Sequence, residues 1–317
     1  MARFRLFRSL GVLLTIGGLA GACTKLGVLN TVMPKDRGAA RVAEGLAYGD
    51  HPRQKLDIYA PVNSAAQGGK AAPVLVFFYG GSWDSGRRQD YGFVGHAFAA
   101  RGFVTVIADY RLVPEVRYPA FVEDSAAVVH WTHRHIVAHG GDPDALVVAG
   151  HSAGAYNALM LATDPAYTTS AEAPPLPIDA AAGLAGPYDF LPLDVQATRR
   201  AFAGVADLAR TQPAKIVTGQ EPPLFLATGE ADTTVRPRNT AALAEAARQA
   251  GRPIRTERYT DLGHAGILLA LSRPFRGKAP VLDDLITFFR NSLKENSLSD
   301  GGAKNRQTAT KKPKSRN

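Results

Sequence analysis

Apolar residues in this chain gather into short unbroken runs. Residues 73–79, 103–108 and 145–149 contain almost nothing polar and are rich in β-branched and aromatic side chains. Such runs predict strands buried on both faces. Residues 178–184, 222–228 and 254–259 continue the series. Between them lie stretches of helical pattern at 91–101, 119–139, 155–162, 238–250 and 282–293. Pro119 is tolerable in the first turn of its helix, and Gly140-Gly141-Asp142-Pro143 ends that helix. Two runs at 42–48 and 54–59, joined by Gly49-Asp50-His51-Pro52, predict a hairpin or meander. Residues 63–72, mostly small, are expected to form a loop, and the less regular 190–218 segment suggests a small lid. Strands alternating with helices predict an α/β fold with a mainly parallel sheet and helices on both faces. There are no internal repeats.

The two ends follow other rules. Arg3, Arg5 and Arg8 precede an apolar run over 10–20 and then small residues. That order is the pattern of an export signal, expected over 1–22. Ala20-Gly21-Ala22 fits a cleavage site, and Leu19-Ala20-Gly21-Ala22-Cys23 resembles a bacterial lipobox with alanine where leucine is usual. Lipidation at Cys23 would anchor the chain to a membrane; the alternatives are plain secretion and an uncleaved anchor. The apolar run is short for a spanning helix. Residues 23–41 are expected as a tether, 42–294 as the folded domain, and 295–317 as a disordered basic tail poor in apolar residues.

Composition narrows the partners. The chain has 317 residues, 45% of them hydrophobic, enough for a large core. Its net charge of +9 is carried mostly by the two ends, so the basicity does not mark a nucleic-acid-binding face. Cys23 is the one cysteine, which excludes an intramolecular disulfide and a cysteine metal site.

Candidate chemistry centres on Gly150-His151-Ser152-Ala153-Gly154, which lies between the 145–149 strand and the 155–162 helix. Strand, G-x-S-x-G and helix together form the nucleophile-elbow pattern. A serine hydroxyl is a weak nucleophile and needs a base, and the base needs a partner to fix its tautomer. In this arrangement the chain order is serine, acid, histidine. His264 is the only histidine beyond Ser152, so it is the expected base. Gly229-Glu230-Ala231-Asp232 follows the 222–228 strand and supplies two carboxylates. Asp232 is preferred as the acid and Glu230 is the alternative. An oxyanion also needs backbone donors. Ala153 would give one, and Gly81 or Ser82, in the loop Tyr79-Gly80-Gly81-Ser82-Trp83, the other.

With these residues in place the chain resembles a bacterial α/β-hydrolase of the esterase/lipase superfamily. It is similar to the carboxylesterase-like branch that also resembles kynurenine formamidases and isoprenylcysteine methylesterases. The resemblance rests on Tyr79 to Trp83, Asp109-Tyr110-Arg111-Leu112, Tyr118-Pro119-Ala120, Gly140 to Pro143, Gly150 to Gly154, Asp232 and Gly263-His264. It implies the α/β-hydrolase fold and a structural brace at Asp109 and Arg111. The family loop usually begins His-Gly-Gly, whereas Tyr79 stands first here. The backbone donors survive that change, but the loop must be anchored differently.

Trp83, Tyr156, Tyr188 and Phe190 lie beside the elbow segments and would line an acyl pocket or pack in the core. His130, His133, His135 and His139 share one helix. The 135/139 spacing suits a metal, but the expected mechanism calls for neither metal nor cofactor. The expected function is hydrolysis of a small-molecule carboxylic ester through an acyl-enzyme. Amide hydrolysis by the same triad and a non-catalytic binding module are the alternatives.

Overall fold

The computed structural model describes residues 19–62, 71–164, 166, 178–252 and 254–309, with side chains placed only between 26 and 298. Most of the expected export signal, the side chain of Cys23 and residues 310–317 lie outside them. In chain order the elements are α1 (Leu19–Val32), β1 (Ala39–Ala47), β2 (Lys55–Pro61), β3 (Ala72–Phe78), α2 (Gly92–Ala99), β4 (Val104–Ala108), α3 (Ala120–His135), β5 (Gly141–His151) and α4 (Ala153–Thr163). They continue with β6 (Ala180–Leu184), α5 (Gln196–Ala201), α6 (Pro213–Ile216), β7 (Leu224–Gly229), α7 (Arg238–Gln249), β8 (Arg255–Tyr259), α8 (His264–Leu269) and α9 (Val281–Ala309).

The strands form one 8-stranded sheet in the order β1-β2-β4-β3-β5-β6-β7-β8. The expected hairpin is the antiparallel β1–β2 pair, and β2 is also antiparallel to β4. Every later pairing, from β4–β3 to β7–β8, is parallel. The apolar runs are the central strands: β4, β6 and β7 are buried at every position. That follows from helices covering both faces, with α2 packed on α9 and α3 on α4. The order reverses beside β3, which sends the chain to β4 on one side while β5 lies on the other. Such a switch point leaves a crevice at the carboxyl ends of the strands.

Two segments differ from expectation. Residues 24–41 do not behave as a tether. Leu26, Leu29 and Met33 pack on the core, and the Asn30 amide donates to the Gln89 carbonyl while its oxygen accepts from Phe93 N. Asp36 pairs with Arg276 through both oxygens, at 2.7 and 2.9 Å. The 26/29/33 spacing is helical, and it was obscured by the small residues that surround it. Helix α9 passes its expected end at residue 293 and continues to Ala309, into the stretch read as a disordered tail. Extending a docked helix needs no new nucleus, and Asn296 ties the extension to Asp179. The expected lid region, 190–218, holds α5 and α6 and is tied both within itself and, at the residues that lead into it, to α7. Gln212 accepts from Phe190 N at 2.8 Å, and Asn239 accepts from the N–H groups of Tyr188 and Asp189 at 3.0 Å each.

Candidate active site

One residue, Ser152, joins β5 to α4. It sits at φ 56°, ψ −125°, a conformation that costs a non-glycine residue on the order of 1–3 kcal/mol. The surroundings enforce it. Ser152 N donates to the Leu184 carbonyl on β6, and the Ser152 carbonyl accepts from Tyr156 N. Gly154 lets the new helix press onto β3, because a Cβ there would stand 2.1 Å from the Phe78 carbonyl oxygen. The elbow therefore depends on backbone-to-backbone contact that no side chain at 154 would permit.

The loops after β7 and β8 bring the expected partners to this serine. His264, the first residue of α8, places Nε2 at 2.9 Å from Ser152 Oγ and Nδ1 at 2.8 Å from Asp232 Oδ2. Asp232 is buried, and its other oxygen accepts from Thr234 N and Val235 N at 2.9 Å each. One oxygen is thus fixed by the backbone and the other is aimed at His264. Facing a carboxylate, Nδ1 carries the proton, which leaves Nε2 free to accept the serine hydroxyl. Glu230 is not part of this relay and instead pairs with Arg258 at 3.2 Å.

The loop after β3 supplies the opposite wall. Gly81, Ser82 and Trp83 all have positive φ, at 138°, 54° and 59°. A Cβ at Gly81 would lie 2.2 Å from the Ser85 carbonyl oxygen. The Gly81 carbonyl closes the turn by accepting from the N–H groups of Asp84 and Ser85 and from Ser85 Oγ. Among the described residues the N–H groups of Gly81, Ser82 and Ala153 have no hydrogen-bond acceptor, so they are free to face a ligand.

Tyr79 shows how the loop is anchored without the usual histidine. Its hydroxyl donates to Asp109 Oδ1 and accepts from Arg53 Nη2, both at 2.8 Å. Its ring stacks on Tyr91 and Tyr110 at 5.1 and 4.9 Å. Tyr110 in turn donates to the Tyr79 carbonyl at 2.8 Å. Asp109 also accepts from Arg88 N and Arg88 Nη1, and Arg88 Nε reaches Asp57. Burial, with Asp109 next in effect, raises the Tyr79 phenol well above its ordinary value, so it stays a neutral donor. Arg111 braces the next turn through a fork onto Asp124.

The aromatic residues expected near an acyl pocket are all buried. Trp83 packs against Phe121, Tyr156 and Phe202 with ring centroids 5.2–5.5 Å apart, and its indole N–H donates to Asn157. Tyr188 lies under β6, where its ring stops any side chain at Gly183 or Gly186. On α3, His135 lies against Trp131, ring to ring at 4.8 Å.

Sequence reasoning missed His151, the residue before the nucleophile. It is buried, its Nε2 lies 2.9 Å from the His264 carbonyl oxygen, and the two imidazole rings are 4.8 Å apart. Its signal was present in the motif as a titratable side chain just beyond the apolar run 145–149.

Comparison with known proteins agrees with this architecture. The BD-FAE family model matches residues 56–247. A probable isoprenylcysteine alpha-carbonyl methylesterase of Arabidopsis thaliana, ICMEL1, is 27% identical over 269 residues, covering 78% of this chain and 55% of the relative. Esterase LipQ of Mycobacterium tuberculosis is 29% identical over 282 residues, covering 83% of this chain and 66% of the relative. These curated relatives are longer, and the chain spans between 55% and 66% of their lengths. Among solved structures, esterase B from Lactobacillus rhamnosis superposes with a TM-score of 0.77 at 17% identity, covering 89% of this chain and 95% of that one. Thermogutta terrifontis esterase 2 gives 0.65 at 23%, covering 81% and 96%. At these identities the structures establish the α/β-hydrolase fold.

Proposed function

The chain belongs to the BD-FAE family, and we propose that it is a serine hydrolase that cleaves carboxylic esters. The observation that carries this reading is the relay Ser152–His264–Asp232, closed at 2.9 and 2.8 Å at the carboxyl ends of the strands. Ser152 Oγ attacks the ester carbonyl and passes its proton to His264 Nε2. Asp232 holds the imidazole in the required tautomer and stabilises the imidazolium. The N–H of Ala153, with that of Gly81 or Ser82, receives the developing oxyanion. His264 then protonates the departing alcohol, and water activated by the same imidazole releases the acyl group. The relatives named as esterases and as a methylesterase support an ester rather than an amide as substrate.

A fluorophosphonate probe should label the folded protein at Ser152, and the Ser152→Ala variant should not be labelled. Turnover of p-nitrophenyl esters should exceed that of matched N-formyl and peptide amides. Robust amide turnover with none of the esters would replace the reading with amide hydrolysis. An unlabelled, inactive wild type would leave a binding module.

A further inference from the structure

The contact between His151 and His264 has a role in the cycle that the relay itself cannot fill. Helix α8 runs only from His264 to Leu269, and its first turn has no side-chain cap at Gly263. So short a helix does not hold its own geometry. The His264 ring is held at one end by Asp232 and at the other by Ser152 Oγ. In the acyl-enzyme, Ser152 Oγ is esterified and no longer offers a hydrogen. At that stage His264 must still present Nε2 to a water molecule, with one of its two ring contacts gone.

We propose that His151 is a positioning residue: its Nε2–H, donated to the His264 carbonyl at 2.9 Å, together with its ring, 4.8 Å from that of His264, holds the base in place while Ser152 is acylated. The inference rests on the serine-hydrolase reading above. Facing a carbonyl, Nε2 must carry the proton, so Nδ1 is a bare acceptor, and it has no hydrogen-bond partner among the described residues. Gly80 walls that side, leaving room for nothing larger, since a Cβ there would stand 3.1 Å from Nδ1. The charged or titratable groups that act on His151 are His264 and Asp232. Burial first, and then the charge of His264, push the His151 imidazole down to about 3. It therefore stays neutral when its neighbour takes up the serine proton. A clamp that charged together with the base would repel it at the moment of reaction.

Two variants separate the donor from the ring. His151→Phe keeps an aromatic ring and removes the N–H. His151→Gln keeps a donor at about the same reach. With p-nitrophenyl acetate, kcat should fall about ten- to a hundred-fold in the Phe variant with KM within about two-fold, and the Gln variant should recover most of it. The second readout needs no turnover: the proton NMR resonance of His264 Nδ1–H in its bond to Asp232. It should be sharp in the wild type and in the Gln variant, and broadened by exchange with water in the Phe variant. A wild type that cleaves no ester would overturn the functional reading alone, and the resonance would still decide the placement of His264. An unchanged resonance in the folded Phe variant overturns the proposal, whatever kcat does. So does a Gln variant as impaired as the Phe variant. Should the Phe variant not fold, the Gln variant carries the test, because a broadened resonance there removes the donor as the cause.

Discussion

Replacing Tyr79 by phenylalanine deletes one oxygen atom and tests how this chain replaces the usual histidine of its oxyanion loop. The hydroxyl bridges Asp109 Oδ1 and Arg53 Nη2, both at 2.8 Å. Neither partner would be orphaned. Asp109 keeps Arg88 N at 2.7 Å and Arg88 Nη1 at 2.6 Å. Arg53 keeps the Tyr110 carbonyl at 2.7 Å and the Gly86 carbonyl. The loss is therefore that of a hydrogen bond to charged groups, without an added penalty for a stranded ion. Such bonds contribute about 1.5–3 kcal/mol. In a domain of this size each kcal/mol moves Tm by about 2–4 °C, so the Tyr79→Phe variant should melt about 3–12 °C below wild type. The ring stacks on Tyr91 and Tyr110 should persist, and so should the turn closed on the Gly81 carbonyl. For that reason kcat should fall by no more than about ten-fold, well short of the loss expected when an oxyanion donor is removed outright. Differential scanning calorimetry and steady-state ester hydrolysis measure the two effects. A Tm within about 1 °C of wild type would refute the anchoring argument, because the hydroxyl would then contribute nothing a phenyl ring does not.

Other perturbations separate neighbouring assignments. Asp232→Asn should lower kcat by about 10⁴-fold by offering His264 Nδ1 a donor and so favouring the wrong tautomer, whereas Glu230→Gln, which only loses Arg258, should stay within about two-fold; equal losses would move the acid. Gly154→Ala puts a Cβ 2.1 Å from the Phe78 carbonyl oxygen. It should cost about 3 kcal/mol or more, the upper end for overpacking, and soluble protein melting like wild type would contradict that. Acid stability should report the buried imidazole of His151. Its value drops from 6.5 to about 3 on folding, so between those pH values the unfolded chain binds a proton that the folded one refuses. Stability then falls by up to about 1.4 kcal/mol per pH unit on acidification below pH 6.5. The His151→Gln variant lacks that imidazole and should show a shallower acid slope in denaturant melts, and equal slopes would refute the burial argument. For localisation, labelled palmitate should enter the wild type and vanish in Cys23→Ala; no incorporation in the wild type would exclude the lipid anchor.

What the sequence disclosed and what it hid divide along a physical line. The central strands were legible because burial on both faces demands unbroken apolar runs, as in β4 and β7. Ser152 was legible because a strand-to-helix turn with no room for side chains writes glycines on both sides of it. Those constraints act within a few residues. The segments misread, α1 and the extension of α9, are held by contacts from far along the chain. Asn30 reaches residues 89 and 93, Asp36 reaches Arg276, and Asn296 reaches Asp179. No local pattern encodes such partners.

The same division explains the site. His264 and Asp232 could be named because only a few residues had the right type in the required chain order. The geometry among them is set by groups with no motif of their own. Tyr79 looked like a departure from the family loop, yet it holds that loop through Asp109 and Arg53. His151 looked like the variable letter of G-x-S-x-G, yet its ring reaches across 113 residues of sequence to the carbonyl of His264. Both sit within two residues of the expected machinery, at the end of a buried strand, where a polar side chain is costly unless it finds a partner. A buried polar residue at the carboxyl end of a central strand is therefore the sequence mark of support for such a site. In this chain that mark stands at the ends of β3 and β5, the two strands that border the switch point.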